Sequence, residues 1–478
     1  MSYYLILDVG TRSAKAYAYS QGKLLGSIEE KMYVNCPQPG WMELDPMDVM
    51  RAVYRLLAEM ESKYGKPVGV GVTSHRGSTV VWYKDAGEPL YNIITWQDMR
   101  VTELLKEFSP KGATKLGRLT ETATSVLSMF GVASPFMHLR WIMENVEGAR
   151  TALEKGGAAF GTVDSWVAWN LTGEHVTDCT NASATGIFDF YSMKWSDTAI
   201  KLIGIPPNSL PHVVTNDVSI GYVKELDAPL LTIIADQQAS LYAAGVHKGA
   251  VKLTCGTWAF VDVNMGEKPP SKGRGVYPMI ALSTKERTLY MLEGVVTSAG
   301  SVVEWLMDIG VLRDYSEITE ALTKGRDNVL FIPALNGLGT PFLKPEAMAA
   351  ILNLSSTTRR EDLIRAALEG VAVMCAAALT HLGRTSKITI KQVVVDGGLA
   401  NCDLFLQLIA DYSGRKVIKT EQVNNSALGA YMLCENINIH LDPIRNWKNP
   451  AVGRLFEPRA TRSNYPERLS NALELLSY

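Results

Sequence analysis

Apolar and polar positions near the start of the chain predict three short strands joined by tight turns. The apolar segment Tyr3–Asp8 precedes a turn at residues 10–13, and alternation resumes over Ala14–Tyr19. A second turn at residues 21–23 leads into a third strand from Leu24. Alternation with a period of two, broken by turns that contain glycine, is typical of antiparallel strands. We therefore predict that the chain opens with an antiparallel meander.

Stretches with apolar residues three and four positions apart predict helices. They begin at Pro46, near Thr102 and near Pro135. The longest apolar run, from Val371 to Leu379, is too short to cross a bilayer, so we predict a buried core helix there.

A second strand–turn–strand pattern lies far downstream. Ala250–Thr254 leads into a turn at Gly256-Thr257, and Trp258–Val263 follows as the next strand. Since the first hairpin turns at Gly10-Thr11, we interpret the two Gly-Thr hairpins as a weak internal repeat. Coincidence is the alternative, because hairpins of this kind are common.

Length and charge favour a two-domain globular protein that does not bind nucleic acid. The chain has 478 residues, which is long for one hydrophobic core. We predict two domains, residues 1–246 and residues 247–478, each opening with one of the hairpins. The formal net charge is −2, so the basic character expected of a nucleic-acid-binding protein is not seen.

Cysteines, histidines and the first residues point to the cytoplasm. The six cysteines are scattered and form no C-x-x-C pair, which fits a reducing compartment. The seven histidines show no spacing typical of metal ligands. The N-terminal apolar run is short, lacks a basic flank and ends at Asp8. These features argue against a signal peptide and favour a first strand. We expect a cytoplasmic protein without a membrane partner.

The two hairpins are candidates for binding phosphate. The sequence contains neither a P-loop nor a dinucleotide-binding glycine motif. If the protein binds ATP, another structural element must therefore bind its phosphates. Backbone N–H groups of Gly10–Ser13 and of Gly256-Thr257 suit this task, and the hydroxyls of Thr11, Ser13 and Thr257 would add donors.

Carboxylates at strand ends are the candidates for catalysis. Phosphoryl transfer to an alcohol needs a carboxylate near the hydroxyl, a divalent ion and exclusion of water. Asp236 follows an apolar strand and precedes Gln237 and a predicted helix, so it is the candidate general base. Asp8 is the candidate ligand of Mg²⁺, with water completing the coordination. The alternative for each carboxylate is a helix cap or a turn.

A series of motifs follows one order along nearly the whole chain. The segments that carry them are Leu7–Ala16, Pro39–Pro46, Gly71–Val80, Tyr91–Arg100, Phe160–Trp166, Thr177–Ser183, Ala235–Ala239, Asp396–Asn401 and Ala427–Ala430. The series resembles the FGGY carbohydrate kinase family, with glycerol kinases as the nearest branch. The resemblance implies an α/β protein of two actin-like (ribonuclease H-like) domains with a catalytic cleft between them. It also implies an ATP-dependent kinase that phosphorylates a hydroxyl of a small polyol or sugar.

The resemblance assigns site residues as well. It implies Asp236 as the general base, and it implies ATP and Mg²⁺ as cofactors. The residues implied at the substrate are Arg76, Gly77, Trp96, Asp236, Gln237 and Phe260. Those implied at the nucleotide are Thr11, Arg12, Ser13, Lys15, Gly256, Thr257, Gly300, Glu304, Gly397, Gly398, Asn401 and Cys402. Of these, Glu304 stands where the family usually has Gln, and Cys402 where glycerol kinases often have Asn.

Two departures bear on the substrate. Gly77 stands where glycerol kinases have a Glu that binds a glycerol hydroxyl, and Ala133 where they have a Tyr. We therefore expect a four- to six-carbon polyol, ketose or sugar acid as acceptor, with glycerol as the alternative. The sequence leaves open whether the protein forms a homodimer.

Two readings outside the kinases also stay open. A non-kinase ATPase of the actin-like superfamily is disfavoured because it needs no pocket of the type formed by Arg76, Trp96 and Asp236. An inactive binding or regulatory protein is disfavoured by the presence of Asp8, Thr11, Asp236 and Gly398.

Overall fold

The fold is mixed α/β and divides into two compact units. The computed structural model describes residues 2–107, 133–271, 273, 275–421, 424–450, 453–460 and 463–475. The first unit comprises Met1–Tyr242, Met279–Thr288 and Ser426–Trp447. The second unit comprises Ala243–Pro278, Leu289–Asn425 and Lys448–Tyr478.

The strands and helices are numbered in chain order. The strands are β1 (Tyr4–Val9), β2 (Ser13–Ser20), β3 (Lys23–Lys31), β4 (Glu43–Leu44), β5 (Gly69–Ser74), β6 (Val80–Tyr83), β7 (Ile93–Ile94), β8 (Ala158–Gly161), β9 (Val176–Asp178), β10 (Phe188–Asp189), β11 (Lys194–Trp195), β12 (His212–Val214), β13 (Tyr222–Val223), β14 (Ala228–Ala235), β15 (Val251–Cys255), β16 (Ala259–Gly266), β17 (Tyr277–Ser283), β18 (Thr288–Val296), β19 (Leu330–Ile332), β20 (Ala350–Leu352), β21 (Gln392–Asp396), β22 (Lys416–Lys419) and β23 (Arg454–Phe456). The α-helices are α1 (Pro46–Tyr64), α2 (Thr102–Glu107), α3 (Pro135–Asn145), α4 (Ala149–Glu154), α5 (Val163–Thr172), α6 (Cys179–Ser183), α7 (Asp197–Ile203), α8 (Asp236–Ala244), α9 (Gly300–Asp308), α10 (Glu317–Lys324), α11 (Arg360–Ser386), α12 (Asp403–Ser413), α13 (Asn425–Asn438) and α14 (Tyr465–Leu475). Short 3₁₀ helices cover Pro207–Ser209 and Gly398–Asn401.

The first unit is built on a six-stranded sheet in the order β13-β14-β5-β1-β2-β3. Strands β1, β5 and β14 are parallel, and β2 and β3 continue from β1 as an antiparallel meander, as the alternation predicts. The meander begins with the first hairpin, which turns through Gly10–Arg12 between β1 and β2.

Helix α1 covers one face of this sheet, and its boundaries follow from its sequence. The Asp45 side chain accepts a hydrogen bond from the backbone N–H of Met47, and Pro46 occupies the first helical position. Both features favour a helix start. Gly65, with a φ of 77°, ends the helix. Buried residues of α1 pack against the odd-numbered side chains of β1, which form one core. Full burial of one such aliphatic side chain contributes about 1.5–3 kcal/mol.

The second unit repeats the first at the level of strand order and direction. Six strands of the seven-stranded sheet β17-β18-β16-β15-β21-β22-β23 provide the comparison, namely those from β18 to β23. Strands β15, β21 and β22 are parallel, whereas β16, β18 and β23 are antiparallel to their neighbours. The first unit has the same succession of directions from β3 to β13. The internal repeat suggested by the two hairpins is therefore confirmed, and the second hairpin (Gly256–Trp258) takes the place of the first.

Helix α11 is the one helix of the described residues that is long and apolar enough to cross a membrane by length and composition. However, 72% of its most apolar window is buried inside the protein. Its buried residues, among them Leu368, Val371 and Leu379, belong to the core of the second unit. The prediction of a buried core helix over this segment is confirmed.

The chain passes from the first unit to the second between Tyr242 and Ala243, close to the predicted junction at residues 246–247. Two later segments, Met279–Thr288 and Ser426–Trp447, nevertheless belong to the first unit. A division of the chain at one point therefore does not describe the compact units. Contacts between residues far apart in sequence determine to which unit each segment belongs, and such contacts cannot be predicted from local patterns.

Candidate active site

Three parallel strands of the first unit end side by side. Val9 of β1 lies opposite Ser74 of β5, and Ser74 lies opposite Ala235 of β14. Neighbouring strands are about 4.8 Å apart. The first hairpin, the loop that begins at His75, and Asp236 therefore emerge at one edge of the sheet, which is where such sheets place ligands.

Asp236 is the first residue of α8, and three groups fix it. Arg76 Nε lies 3.9 Å from Asp236 Oδ1. The backbone N–H of Gln237 donates to the same oxygen at 2.6 Å, and Ser426 Oγ donates to the Asp236 carbonyl at 2.9 Å. The Asp236 side chain keeps 25% of its surface exposed, against 10% for Arg76. A small molecule can therefore reach the carboxylate while its orientation stays fixed.

Arg76 and His75 differ in their surroundings. Arg76 also points Nη1 at Met279 Sδ, 3.3 Å away. The His75 ring is buried, with Nδ1 at 3.0 Å from the Val9 carbonyl and Nε2 at 2.8 Å from Ser78 Oγ. Burial lowers the pKa of His75, while the Val9 carbonyl and the charge of Asp236 act in the opposite direction. His75 thus braces the loop that carries Arg76.

Trp96 joins the first hairpin to the Arg76 loop. Its indole Nε1–H donates to Thr11 Oγ1 at 3.0 Å, and its backbone N–H donates to Ser78 Oγ at 3.1 Å. The family resemblance implies Trp96 at the substrate and Thr11 at the phosphates. The structure brings the two side chains into direct contact.

Gly77 adopts a backbone conformation that side chains disfavour. Its φ is +76°, in the left-handed region. A Cβ atom at this position would lie 3.1 Å from Trp96 Cβ and 3.1 Å from the Ala133 carbonyl oxygen. The place of the missing side chain is therefore lined closely by Trp96 and Ala133.

A row of charges crosses the sheet just before the first hairpin. Asp8 lies opposite Lys15, and Lys15 lies opposite Glu29 with its Nζ 3.3 Å from Glu29 Oε1. The Ser13 hydroxyl lowers the pKa of Glu29, burial opposes that shift, and Lys15 lowers the pKa further. Ser13 and Lys15 are thus engaged with Glu29. Arg12 at the turn is exposed.

The surroundings of Asp8 fit a hydrated cation better than a cage of protein ligands. Asp8 is half-buried, and its register partner on β5 is Thr73, whose buried Oγ1 has no hydrogen-bond partner. Within the described residues no group of three or more His, Cys, Asp or Glu side chains converges as a metal site would require. A single carboxylate beside a free hydroxyl suits Mg²⁺, which usually keeps several waters.

In the second unit, α9 begins directly against the second hairpin. The Gly300 N–H donates to the Gly256 carbonyl at 2.8 Å, and the Ser301 N–H donates to the Thr257 carbonyl at 3.1 Å. A Cβ on Gly300 would lie 2.6 Å from the Gly256 carbonyl oxygen. Only glycine permits this approach. Glu304 lies one turn further along α9 and is half-buried.

The loop after β21 packs on the same hairpin. Gly397 has a φ of +92°, and a Cβ there would lie within 2.6–2.8 Å of the Cys255 backbone. Gly398 next to it faces open space, with nothing within 4 Å of the Cβ position. Asn401 is exposed, and Cys402 is half-buried just before α12. This loop leaves a backbone surface that a flat ligand can approach.

The predicted site residues thus form one group in each unit. The group in the first unit contains Asp8, Thr11, Arg12, Ser13, Lys15, Arg76, Gly77, Trp96, Asp236 and Gln237. The group in the second unit contains Gly256, Thr257, Gly300, Glu304, Gly397, Gly398, Asn401 and Cys402. Phe260, which the sequence assigns to the substrate, lies on β16 with its ring 6.4 Å from that of Trp258 and belongs to the second unit.

The sequence analysis assigned no role to two buried carboxylates of the first unit. Burial, and then the charge of Asp178, raise the pKa of Asp164 to about 7. Burial also raises the pKa of Asp178, although hydrogen bonds from Thr180 and Asn181 oppose the shift. Both residues fall within quoted motifs. The only local signal is Asp178 two and three positions before Thr180 and Asn181, which is typical of a helix N-terminus.

Comparisons with known proteins agree over the whole chain. The models of the FGGY family of carbohydrate kinases match residues 3–235 with the N-terminal domain and residues 251–435 with the C-terminal domain. A glycerol kinase of Alkalilimnicola ehrlichii is 34% identical over 483 residues, covering 98% of this chain and 96% of that protein. An uncharacterized sugar kinase of Archaeoglobus fulgidus is 31% identical over 493 residues, covering 98% of each. The crystal structure of Plasmodium falciparum glycerol kinase with ADP superposes with a TM-score of 0.88 at 26% identity, covering 100% of this chain and 98% of that one.

Proposed function

The chain belongs to the FGGY family of carbohydrate kinases and phosphorylates a sugar or polyol, and from this premise we propose that it uses Asp236 as general base on an acceptor longer than glycerol. ATP is the phosphoryl donor of the family. The observation that carries the proposal is the partly exposed Asp236 carboxylate, fixed by Arg76 and the Gln237 N–H where three parallel strands end.

The surroundings of Asp236 support its proposed role in proton removal. An acceptor hydroxyl that binds at its exposed edge can donate to Oδ2, because Oδ1 already faces Arg76 and the Gln237 N–H. The carboxylate then takes the proton as the hydroxyl oxygen attacks the γ-phosphorus, while the bond from that phosphorus to the β,γ-bridging oxygen breaks and ADP leaves. Such a base typically contributes about 10²–10⁴-fold to the rate. Arg76 Nε pairs with this carboxylate at 3.9 Å, and the Trp96 ring would offer an apolar surface to the carbon skeleton of the acceptor.

Phosphate binding is proposed for residues of both units. In the first unit, Thr11 can donate its hydroxyl hydrogen to a phosphate oxygen while its oxygen accepts from Trp96 Nε1–H. The Asp8 carboxylate would hold Mg²⁺ through water, and the ion would neutralise phosphate charge when bound. In the second unit, the N–H groups of Gly256 and Thr257 would bind phosphates, and the surface at Gly397-Gly398 would bind the adenosine.

The finer choice of acceptor is a four- to six-carbon polyol, ketose or sugar acid. The support is the place of Gly77 and Ala133, where neither residue presents a polar side chain to a small triol. Glycerol itself is the second candidate, because relatives matching nearly the whole chain at 33–34% identity carry the name glycerol kinase. The cytoplasmic location, the homodimer and the cleft between the domains stay predictions.

We predict that ATP consumption requires both Mg²⁺ and an acceptor. The purified protein would be assayed for ADP release with a panel of polyols, ketoses and sugar acids from three to six carbons. Acceptor binding is expected to complete the site and to exclude water, so hydrolysis without acceptor should be slow. Rapid ATP hydrolysis that no panel compound changes would instead support an ATPase of the actin-like superfamily. No turnover with any compound would contradict the proposed reaction.

A Trp96→Phe variant should affect the nucleotide more than the acceptor. Phe keeps an aromatic ring against the acceptor but removes the N–H that Thr11 receives. One neutral hydrogen bond contributes about 0.5–1.5 kcal/mol, so kcat/KM for ATP should fall about 2- to 13-fold. The KM for the acceptor should change less.

The matched comparison is Thr11→Ser, which keeps the hydroxyl and loses only a methyl group, and which should retain nucleotide kinetics close to wild type. A large rise in the acceptor KM of Trp96→Phe with unchanged ATP kinetics would show that Trp96 serves the acceptor alone.

A further inference from the structure

The last residues of β14 have a strand on one side only. Along one edge, β14 pairs with β5 up to Ala235 opposite Ser74. Along the other edge it pairs with β13 at Ala228 and Pro229 alone, and the backbone contacts with Ile220 and Gly221 end at Leu230. Among the described residues, no strand covers the outer edge from residue 231 onwards. Unpaired backbone groups on a buried strand destabilise it, and here they directly precede Asp236.

Two side chains take the place of the missing strand. Thr180 Oγ1 accepts a hydrogen bond from the Ala235 N–H at 2.9 Å. Asn216 Nδ2 donates to the Ile233 carbonyl at 2.9 Å. Both backbone groups point to the outer edge, as alternate residues of a strand do. The end of β14 is therefore held between β5 on one side and this pair on the other.

Asp178 holds that pair in position. Its Oδ2 accepts from the Thr180 N–H at 2.7 Å and from Asn216 Nδ2 at 2.7 Å, and the Thr180 hydroxyl also donates to it. Its Oδ1 accepts from Asn181 Nδ2 at 2.7 Å. Asp178 and Thr180 are fully buried. Since the Thr180 hydroxyl hydrogen goes to Asp178, its oxygen lone pair is directed to the Ala235 N–H.

We propose that Asp178, acting through Thr180, is a positioning residue that sets the place of the Asp236 carboxylate. The inference rests on the proposed role of Asp236 as base. The chain of contacts runs from Asp178 to the Thr180 hydroxyl, then to the Ala235 N–H, and Asp236 is the next residue. A displacement of about 1 Å in a reacting group can cost about 10²-fold in rate, so a strand end fixed on both sides is a sensitive support.

The test is Thr180→Val, which keeps the shape of the side chain and removes the oxygen. We expect kcat to fall about 10- to 100-fold, the range that a small misplacement of a reacting group produces. The dissociation constant for ATP should stay within about twofold, because the nucleotide residues lie elsewhere. Thr180→Ser keeps the oxygen and should restore most of the activity. Equal activity of the Val and Ser variants and wild type would overturn the proposal.

A matched control separates positioning from general loss of structure. Thr232 lies on the same strand, is fully buried, and its hydroxyl donates to the Asn216 carbonyl at 2.7 Å. Thr232→Val makes the same chemical change without touching Ala235 N–H. Because Thr232 contacts Asn216 and lies 3.4 Å from the Ile233 carbonyl, we expect some loss of kcat, but clearly less than in Thr180→Val, even where the melting temperature falls as far. A similar loss of kcat in both Val variants would mean that any perturbation of β14 is enough, which would overturn the specific role of Thr180.

The double variant gives the sharper result. If Thr180 acts through Asp236, adding Thr180→Val to Asp236→Asn should lower the residual kcat no further. Independent effects that multiply would contradict the proposal. If the wild-type protein is inactive, the proposed function is overturned. If the wild type is active, Asp236→Asn is inactive and Thr180→Val keeps full activity, only this inference is overturned. If Thr180→Val does not fold, Thr180→Cys replaces it, because Cys has a similar volume and its sulfur is a weak acceptor. We expect Thr180→Cys to lower kcat by less than the about 10- to 100-fold expected for Val. An unchanged kcat in Thr180→Cys would contradict the proposal.

Discussion

Replacement of Asp236 by Asn should lower kcat about 10²–10⁴-fold while the affinity for ATP stays nearly unchanged, because the amide keeps the shape of the carboxylate and does not take a proton. The Gln237 N–H can still donate to the amide oxygen, so the head of α8 should keep its geometry. Arg76 loses its anionic neighbour at 3.9 Å, which adds to the loss in the transition state. Steady-state rates and nucleotide titration of the same preparation give both quantities.

A control for Asp236→Asn should carry the same chemical change outside the site. Asp48 is exposed on α1 and pairs with Arg51. Asp48→Asn should leave kcat unchanged, since an exposed ion pair contributes little even to stability. If Asp236→Asn retained more than about a tenth of wild-type kcat, against the loss expected for a general base, another group would have to take the proton. If it lost ATP binding as well, Asp236 would belong to the nucleotide site.

Part of the strand content of both sheets follows from local pattern, and so does the first indication of the repeat. Alternation and glycine turns predict β1 to β3 and the hairpin of β15 and β16, because each is a property of neighbouring residues. The matching order of parallel and antiparallel strands in the two units does not follow from those patterns alone. This matching strand order explains why the motif at Arg76, after β5, and the motif at Gly397, after β21, occupy corresponding places in their sheets.

Other features depend on contacts between distant residues and lie beyond local pattern. Nothing in the sequence around Thr11 or Trp96 records that their side chains meet across 85 positions. The buried network of Asp178 is of the same kind, since Thr180 reaches Ala235 across 55 positions. A carboxylate followed by Thr and Asn reads locally as a helix cap, and it is one, but its second function exists only where β14 passes beside it.

The structure adds a second reason for glycine at position 77. The sequence favours reading it as a missing carboxylate and a missing volume. Its φ of +76° and the short distances from its Cβ position to Trp96 and Ala133 show that the backbone itself requires glycine. A Gly77→Glu exchange would therefore shift the Arg76 loop, and its effect on substrate choice would be mixed with strain. Ala133 offers a cleaner position for testing the acceptor.

The expected acceptor discrimination follows from what the site lacks. Glycerol has three hydroxyls, and tight binding of so small a molecule needs several well-placed polar partners. Sites that hydrogen-bond a hydroxyl can reject an analogue lacking it by about 10⁴-fold or more. We expect kcat/KM for at least one four- to six-carbon acceptor to exceed kcat/KM for glycerol by about 10-fold or more, and by no more than about 10⁴-fold. Rates with the same panel at subsaturating concentrations measure the ratio directly.

An Ala133→Tyr variant should reverse part of this preference. Ala133 Cβ lies 3.8 Å from the Cβ position of Gly77, beside the loop of Arg76, so a phenol at this place would fill space and add a hydroxyl. One extra methylene in a pocket changes discrimination about 10- to 200-fold, so a phenol should shift the ratio of long acceptor to glycerol by at least about 10-fold. Ala133→Ser, which adds a hydroxyl without the ring, should leave the ratio near wild type and thereby separates volume from polarity. A wild-type enzyme that prefers glycerol over every longer compound would show that other residues complete a glycerol site, and Ala133→Tyr would then lower activity with all acceptors alike.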